Sequence, residues 1–349
     1  MNTLNPYNQS KSNRILFILK IEESTMKRAL VTGGAGFIGS NLVDALMEQG
    51  HQVRVVDNLT SGTSDNLKRW LSNPRFSFEN SDLLSPLGSG LLENYDIVYH
   101  LAANPDVRTG TSTPGVHFDQ NIKATYNLLE GMRQTDPETL VFTSSSTVYG
   151  EPEKIPTPED YGPLRPVSVY GASKLACESL ISAYSSTYGF KASIFRLANV
   201  MGPRTTHGVV HDLVRKLLQN AHELSMFGDG TQDKSYFHVA DCIEALLGGM
   251  WMSPQHCETF NLGSEDRINV KKIADIVCQE MGLSHVKYDF HCETGDGRGW
   301  PGDIKTMQLD VSKIKRAGWT PVLNSEQTVR RTVKELVREQ QRVHLSRAN

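Results

Sequence analysis

At 349 residues the chain is long enough to bury a large core, as one big domain or as two lobes. Its 36 Lys and Arg against 39 Asp and Glu leave a net charge of -3 interspersed along the chain, which argues against a nucleic-acid face and against a basic membrane patch. The apolar stretch Ile15-Leu16-Phe17-Ile18-Leu19 is far too short to span a bilayer, and the 5 cysteines form no CxxC pair, which fits a reducing cytoplasm better than a disulfide framework or a zinc site.

Residues 1–25, polar and rich in Asn and Ser, read as a disordered extension ahead of Met26, where a nucleotide-binding chain would naturally begin. A short strand or helix packed on the surface is the alternative. The apolar run Ala29-Leu30-Val31 then leads through Thr32-Gly33-Gly34-Ala35-Gly36-Phe37-Ile38-Gly39 into the helically spaced Ser40–Leu46. Strand, glycine-rich turn and helix start in that order form a pyrophosphate cradle. Gly33 allows the tight turn, Gly36 lets the backbone approach the phosphates, and Gly39 lets helix and strand pack closely. The amides of this turn, Phe37 and Ile38 included, open a helix N-terminus that favours an anion. The next strand, Gln52–Val56, ends in Asp57, 18 residues after Gly39. An acid there accepts from ribose hydroxyls and repels a 2′-phosphate, so it selects NAD over NADP.

The alternation continues downstream. Phe76–Glu79 reads as a strand closing on Asp82, and Asp96–Leu101 as a buried strand running into Ala102-Ala103. Helical spacing follows through Asn121–Leu129, then the strand Leu140–Thr143 and the turn Ser144-Ser145-Ser146. A helix from about Tyr170 to Tyr188 precedes the strand Ala192–Leu197. Strands alternating with helices predict an α/β fold, a Rossmann-type doubly wound parallel sheet with ligands at its carboxyl edge. The domain expected is 26–197, with a segment near 236–262 returning to it. Residues 198–349, broken by Gly and Pro, are expected to form mainly a smaller substrate-binding lobe. His207 and His211 could share a helix face, but no third ligand lies near, so no metal is expected.

Tyr170 and Lys174 stand four residues apart, on one helix face. A tyrosine titrates near 10 on its own, and a nearby Lys⁺ together with a positive nicotinamide ring would favour the phenolate. Ser145, in a turn after a strand, could bind the same substrate oxygen. Set behind a dinucleotide motif, Ser145, Tyr170 and Lys174 form a catalytic set for proton and hydride chemistry.

On these residues the chain resembles the extended short-chain dehydrogenase/reductases, and within them the NAD-dependent nucleotide-sugar epimerases and dehydratases. The markers are TGGAGFIGSN (32–41), VDNLTSG (56–62), Asp82, HLAA (100–103), TSSSTVYG (143–150), YGASK (170–174), RLANVMGPR (196–204), FGDGTQDKSYFHVAD (227–241) and GRGWPGD (297–303). The resemblance implies that Asn58, Asp82, Leu83, Leu101, Ala102, Ala103, Asn121 and Ser144 join the glycine turn and Asp57 in holding NAD. It implies further that Asn104, Asn199, Lys234 and Arg298 contact the substrate, with Asp303 beside them. Dehydratases of this kind carry an Asp-Glu pair after the fourth strand, and the decarboxylases a Glu. Here those positions are Ser146 and Thr147, so elimination lacks its acid and base. What remains is hydride chemistry at C4 of a UDP-sugar: oxidation, rotation of the 4-keto sugar, and re-reduction on its other face. UDP-glucose/galactose is the first expectation, with UDP-N-acetylglucosamine and UDP-glucuronate as alternatives and a dehydratase or reductase as the runner-up. Arg108 and Arg204 could approach a C6 carboxylate, contact phosphate, or form structural ion pairs, and Met307 could line the pocket wall. The resemblance also implies a cytoplasmic homodimer joined through a four-helix interface that includes the Tyr170 helix.

Overall fold

A computed structural model describes residues 14, 16–19, 21, 25–85, 92–135, 137–249, 256–292 and 294–348. The apolar runs become strands β1 (Arg28–Thr32), β2 (Gln52–Asp57), β3 (Phe76–Asn80), β4 (Ile97–His100), β5 (Thr139–Ser145) and β6 (Lys191–Leu197). Between them run the helices α1 (Phe37–Glu48), α2 (Ala124–Thr135) and α3 (Val169–Tyr188). Ala29, Leu30, Val31, Val98, Tyr99, Leu140 and Val141 are all fully buried, as continuous apolar strands must be when helices cover both faces of a parallel sheet.

The order across the sheet is β11-β6-β5-β4-β1-β2-β3, all strands parallel, with β11 (Cys257–Leu262) added beside β6. Connections from β1 run outward to β2 and β3, while β4 starts again on the other side of β1. That reversal leaves a crevice at the carboxyl ends of β1 and β4, between Thr32 and His100, which pair in register. The helix α5 (Val239–Gly248) shares one hydrophobic cluster with α1, while α2 and α3 share the cluster on the other face.

After β6 the chain builds a third apolar cluster. Leu213, Val214 and Leu217 of α4 (Val209–Gln219), Ile273 and Val277 of α6 (Val270–Glu280), and Val329 and Val333 of α8 (Ser325–Ala348) pack together there. Short strands tie this part back: β7 (Asn199–Met201) pairs with β10 (Tyr236–His238), and β9 (Asp233–Lys234) with β14 (Thr306–Met307).

Two expectations change. The helix expected from Asn121 opens as a wider π turn over Phe118–Lys123 before α2. Its backbone carbonyl at Asn121 accepts the Thr125 hydroxyl at 2.7 Å, and single π turns of this kind are frequent at functional sites. At the described residues 14, 16–19 and 21 the alternative of a packed helix replaces the disordered extension. The described residues 14, 16–19 and 21 are helical, with Phe17 and Ile21 buried in the sheet's cluster. Arg14 donates to the Thr320 carbonyl at 2.7 Å and to Glu244 of α5 at 2.7 Å. Apolar side chains spaced four apart gave this segment one face to bury, which a count of its Asn and Ser obscured. Apart from Thr25, the remaining residues of the extension lie outside those described.

Candidate active site

The turn between β1 and α1 is tied by Gly33 N–H donating to the Val56 carbonyl at 2.9 Å. Gly33 has φ +71°, and a Cβ there would stand 2.6 Å from the Ala102 amide nitrogen. A Cβ on Gly39 would run into the Gly33 carbonyl, so only glycine fits either place. No side chain caps α1, whose first-turn N–H groups are left for an anion. At the end of β2 the buried Asp57 is fixed by two amides: Ala35 donates at 3.0 Å and Leu59 at 2.8 Å. Asn58 donates to Asp82 at 3.0 Å, whose other oxygen accepts the Leu84 amide at 2.9 Å, and Leu83 is buried beneath.

The shelf formed by Leu101, Ala102 and Ala103 is set by a buried chain of hydrogen bonds. Thr125 spends its only hydroxyl proton on the Asn121 carbonyl, so His100 Nε2 must donate to Thr125 Oγ1 at 2.9 Å. Its Nδ1 then accepts from Thr32 at 2.7 Å, and Thr32 Oγ1 accepts the Ala102 amide at 3.3 Å. Burial pushes His100 down to about 3, so the ring stays neutral and this tautomer holds.

Ser145 ends β5, and its Oγ accepts both the amide (3.2 Å) and the hydroxyl (3.0 Å) of Thr147. With both acceptor positions taken, the Ser145 proton is free to turn toward the Tyr170 phenol, whose ionised form it favours. Tyr170 sits in the first turn of α3, which Ser168 caps by accepting the Gly171 amide at 3.1 Å. One turn on, Lys174 Nζ donates to the Thr143 carbonyl at 2.9 Å over the Phe142 ring. The electrostatics differ from the expectation that Lys174 lowers the phenol. Burial pushes Tyr170 up to about 12, the Ser145 hydrogen bond offsetting it only in part, and burial pulls Lys174 down to about 8. Desolvation disfavours both charged forms, and a single ammonium does not overcome it.

Several expected binding residues turn out to be already engaged. Asn121, fully buried, accepts the Asn104 amide at 2.8 Å and donates to Ser173 Oγ at 2.8 Å, fastening the loop after β4 to α3. Asn104 donates its side-chain amide to Gln120 at 3.1 Å. Ser144 turns its hydroxyl to Glu178 rather than toward the cradle. Asn199 donates to the Ser235 carbonyl at 3.0 Å. Lys234 pairs with Asp303 at 2.6 Å, and Arg298 pairs with Glu151 and Asp296 while donating to the Asp303 carbonyl at 2.9 Å. Of the two undecided arginines, Arg204 makes the structural pair, with Asp44 of α1 at 2.6 Å. Arg108 is half-exposed and stands 5.9 Å from the Trp300 ring, at a cavity of about 210 Å³ that Phe227 also lines. Met307 is buried in β14. Cradle, shelf, Ser145, Tyr170 and Lys174 thus share the carboxyl edge of one sheet.

Residues 29–263 match the model of the NAD dependent epimerase/dehydratase family. The chain belongs to this family. A putative UDP-glucose 4-epimerase of Methanocaldococcus jannaschii is 34% identical over 87% of this chain and 96% of its own. UDP-glucuronic acid decarboxylase 1 of Xenopus tropicalis is 30% identical over 90% of this chain and 73% of its own. Among solved structures, a UDP-galactose 4-epimerase superposes with TM-score 0.79 at 40% identity, covering 89% of this chain and 99% of that one. The family is NAD-dependent, and the residues here fit that cofactor. A cradle closed to any Cβ at Gly33 and Gly39 leaves room for a pyrophosphate, and the Asp57 carboxylate stands at the ribose end of it.

Thr147 figures in the sequence only as a position without a carboxylate, and His117 and Glu178 do not figure there as site residues. Thr147 orients the Ser145 proton, His117 stands edge-on to the Tyr170 ring at 5.6 Å, and Glu178 holds Ser144. The sequence offered a signal only for Glu178, at helical spacing from Lys174.

Proposed function

We propose that this protein is a UDP-sugar 4-epimerase that acts on UDP-glucose and UDP-galactose, with Tyr170, Ser145 and Lys174 as its reacting set. The observation that carries the reading is the turn after β5. Where elimination or decarboxylation would call for a carboxylate, Thr147 presents a hydroxyl that is committed to Ser145. Tyr170 takes the proton of the sugar 4-hydroxyl, Ser145 steadies that oxygen, and Lys174 holds the cofactor ribose and adds positive charge near the phenol. NAD, when bound, supplies a reversible hydride acceptor. The 4-keto sugar turns about its link to the nucleotide and offers the other face of C4 to re-reduction, and Tyr170 returns the proton to the 4-oxygen. Net redox change is zero, so the cofactor need not leave. Lys234, Asn199 and Arg298 serve the nucleotide, Arg298 with the planar fork that suits phosphate. UDP-N-acetylglucosamine and UDP-glucuronate remain the competing sugars, and Arg108, exposed at the cavity by Trp300, is the residue that favours the second.

Exposed Phe118 and Tyr126 before and on α2, with Tyr188 on α3, support a homodimer through these helices. The same reading assigns the protein to the cytoplasm.

The deciding experiment incubates purified protein with UDP-glucose, UDP-N-acetylglucosamine and UDP-glucuronate separately, without added cofactor, followed by proton NMR of the anomeric and H4 signals. A 4-epimer mixture is expected with UDP-glucose. A 6-deoxy-4-keto product, or loss of the C6 carboxylate from UDP-glucuronate, would overturn the argument from Thr147. Sedimentation velocity tests the dimer.

A further inference from the structure

A buried polar network lies directly behind the reacting set. Glu178, one turn beyond Lys174 on α3, accepts the Ser144 hydroxyl and also Arg196 of β6, through Nε at 3.0 Å and Nη2 at 2.7 Å. Both members of the ion pair are 7% exposed. Arg196 donates onward to the Tyr149 hydroxyl at 2.9 Å, which donates to Asn261 of β11 at 2.7 Å. Asn261 in turn donates to the carbonyls of Thr157 at 2.9 Å and Asp310 at 3.1 Å. One carboxylate therefore joins the end of β5, the catalytic helix and β6, and through Arg196 and Tyr149 the network reaches β11.

The geometry points to Glu178 as a positioning residue of this site, clamping Ser144, and with it Ser145, to the helix that carries Tyr170 and Lys174. Removing a partner from a buried pair is costly, because it strands the other charge. A carboxylate kept there serves placement, since an apolar pair could fill the same volume.

The charges around Lys174 give the clamp a second consequence. Four titratable groups besides Tyr170 face it: His100 from β4, His117 from the segment before the π turn, and Cys177 and Glu178 from α3. Burial keeps both histidines below their ordinary range and the Cys177 thiol above its own, so all three are neutral near pH 8. Cys177 and Glu178 are the neighbours whose negative charge would raise Lys174, and with the thiol neutral near pH 8 Glu178 is, among the described residues, the charge left to offset the burial that lowers it.

The inference rests on Ser145, Tyr170 and Lys174 being the reacting set, and its test does not require turnover. Lysine labelled with ¹³C at Cε, with its resonance assigned through Lys174→Arg, reports the Lys174 titration by NMR. Glu178→Gln should lower that midpoint by at least one pH unit, and the alkaline limb of kcat should move by the same amount. Glu178→Asp, which keeps the charge, should restore most of the shift. An unchanged midpoint in folded Glu178→Gln overturns the inference. If that variant does not fold, Ser144→Ala, which leaves the ion pair whole, decides: at least a tenfold loss of kcat with KM and bound NAD unchanged supports the clamp, and wild-type kcat refutes it. A protein inert toward every UDP-sugar would fail the functional reading while leaving the Lys174 titration to judge this one.

Discussion

In the chain by itself, the Tyr170 phenol is pushed by burial to about 12. At pH 8 such a phenol is ionised in only about one molecule in ten thousand, so bringing it to half-ionisation takes about 5 kcal/mol. The nearest ammonium does not supply this, because burial has drawn Lys174 itself down to about 8. A full positive charge at contact distance contributes about 4 kcal/mol under the screening typical of a partly buried site. A cationic nicotinamide is therefore of the right size, and oxidised cofactor should act as the switch that makes the base. The assay is ultraviolet difference titration near 295 nm on cofactor-stripped protein, on protein reloaded with NAD, and on Tyr170→Phe as the blank. We expect the Tyr170 step to fall by three or more pH units on loading, with no corresponding step in Tyr170→Phe. Turnover in that variant should fall by at least a thousandfold while NAD stays bound. The same midpoint in stripped and loaded protein would refute the reasoning, as would more than a few percent of turnover without the phenol.

Four further outcomes follow from the packing and the cradle. Phe17→Ala should destabilise the protein by about 3 kcal/mol and lower its Tm by several degrees, because its buried side chain leaves a cavity against the sheet. Removing residues 1–25 should do at least as much, and an unchanged melting curve would return the segment to the status of a bystander. Gly39→Ala should keep the fold, yet weaken NAD at least tenfold, about 1.4 kcal/mol by equilibrium dialysis, since the new Cβ forces the turn away from Gly33. Arg204→Ala should cost about 1–3 kcal/mol of stability by leaving Asp44 without its guanidinium, while KM for the UDP-sugar stays put. A large rise in KM would move Arg204 from the frame to the substrate.

Local chemistry settled much of this protein before any coordinates. A glycine turn between strand and helix has few physical solutions, since Gly33 and Gly39 stand where no Cβ fits, and an acid at the next strand end completes the cradle. Alternating apolar strands and helices admit little besides a doubly wound parallel sheet. The register of Tyr170 and Lys174 is a property of one helix and needs no distant contact. What only the tertiary structure decided is how long-range partners spend each polar group. Ser144 lies beside Ser145 in sequence yet serves Glu178, 34 residues on. Asn121 is committed to backbone and side chains on two other segments, and Arg204 to a helix 160 residues away. The ionisation of Tyr170 and Lys174 belongs there too: the sequence shows the two charges side by side, but desolvation depends on what the rest of the chain packs around them. The choice between a disordered extension and a packed helix at Phe17 and Ile21 belongs there as well, because a short apolar face has a meaning only once α5 and the sheet offer it a surface.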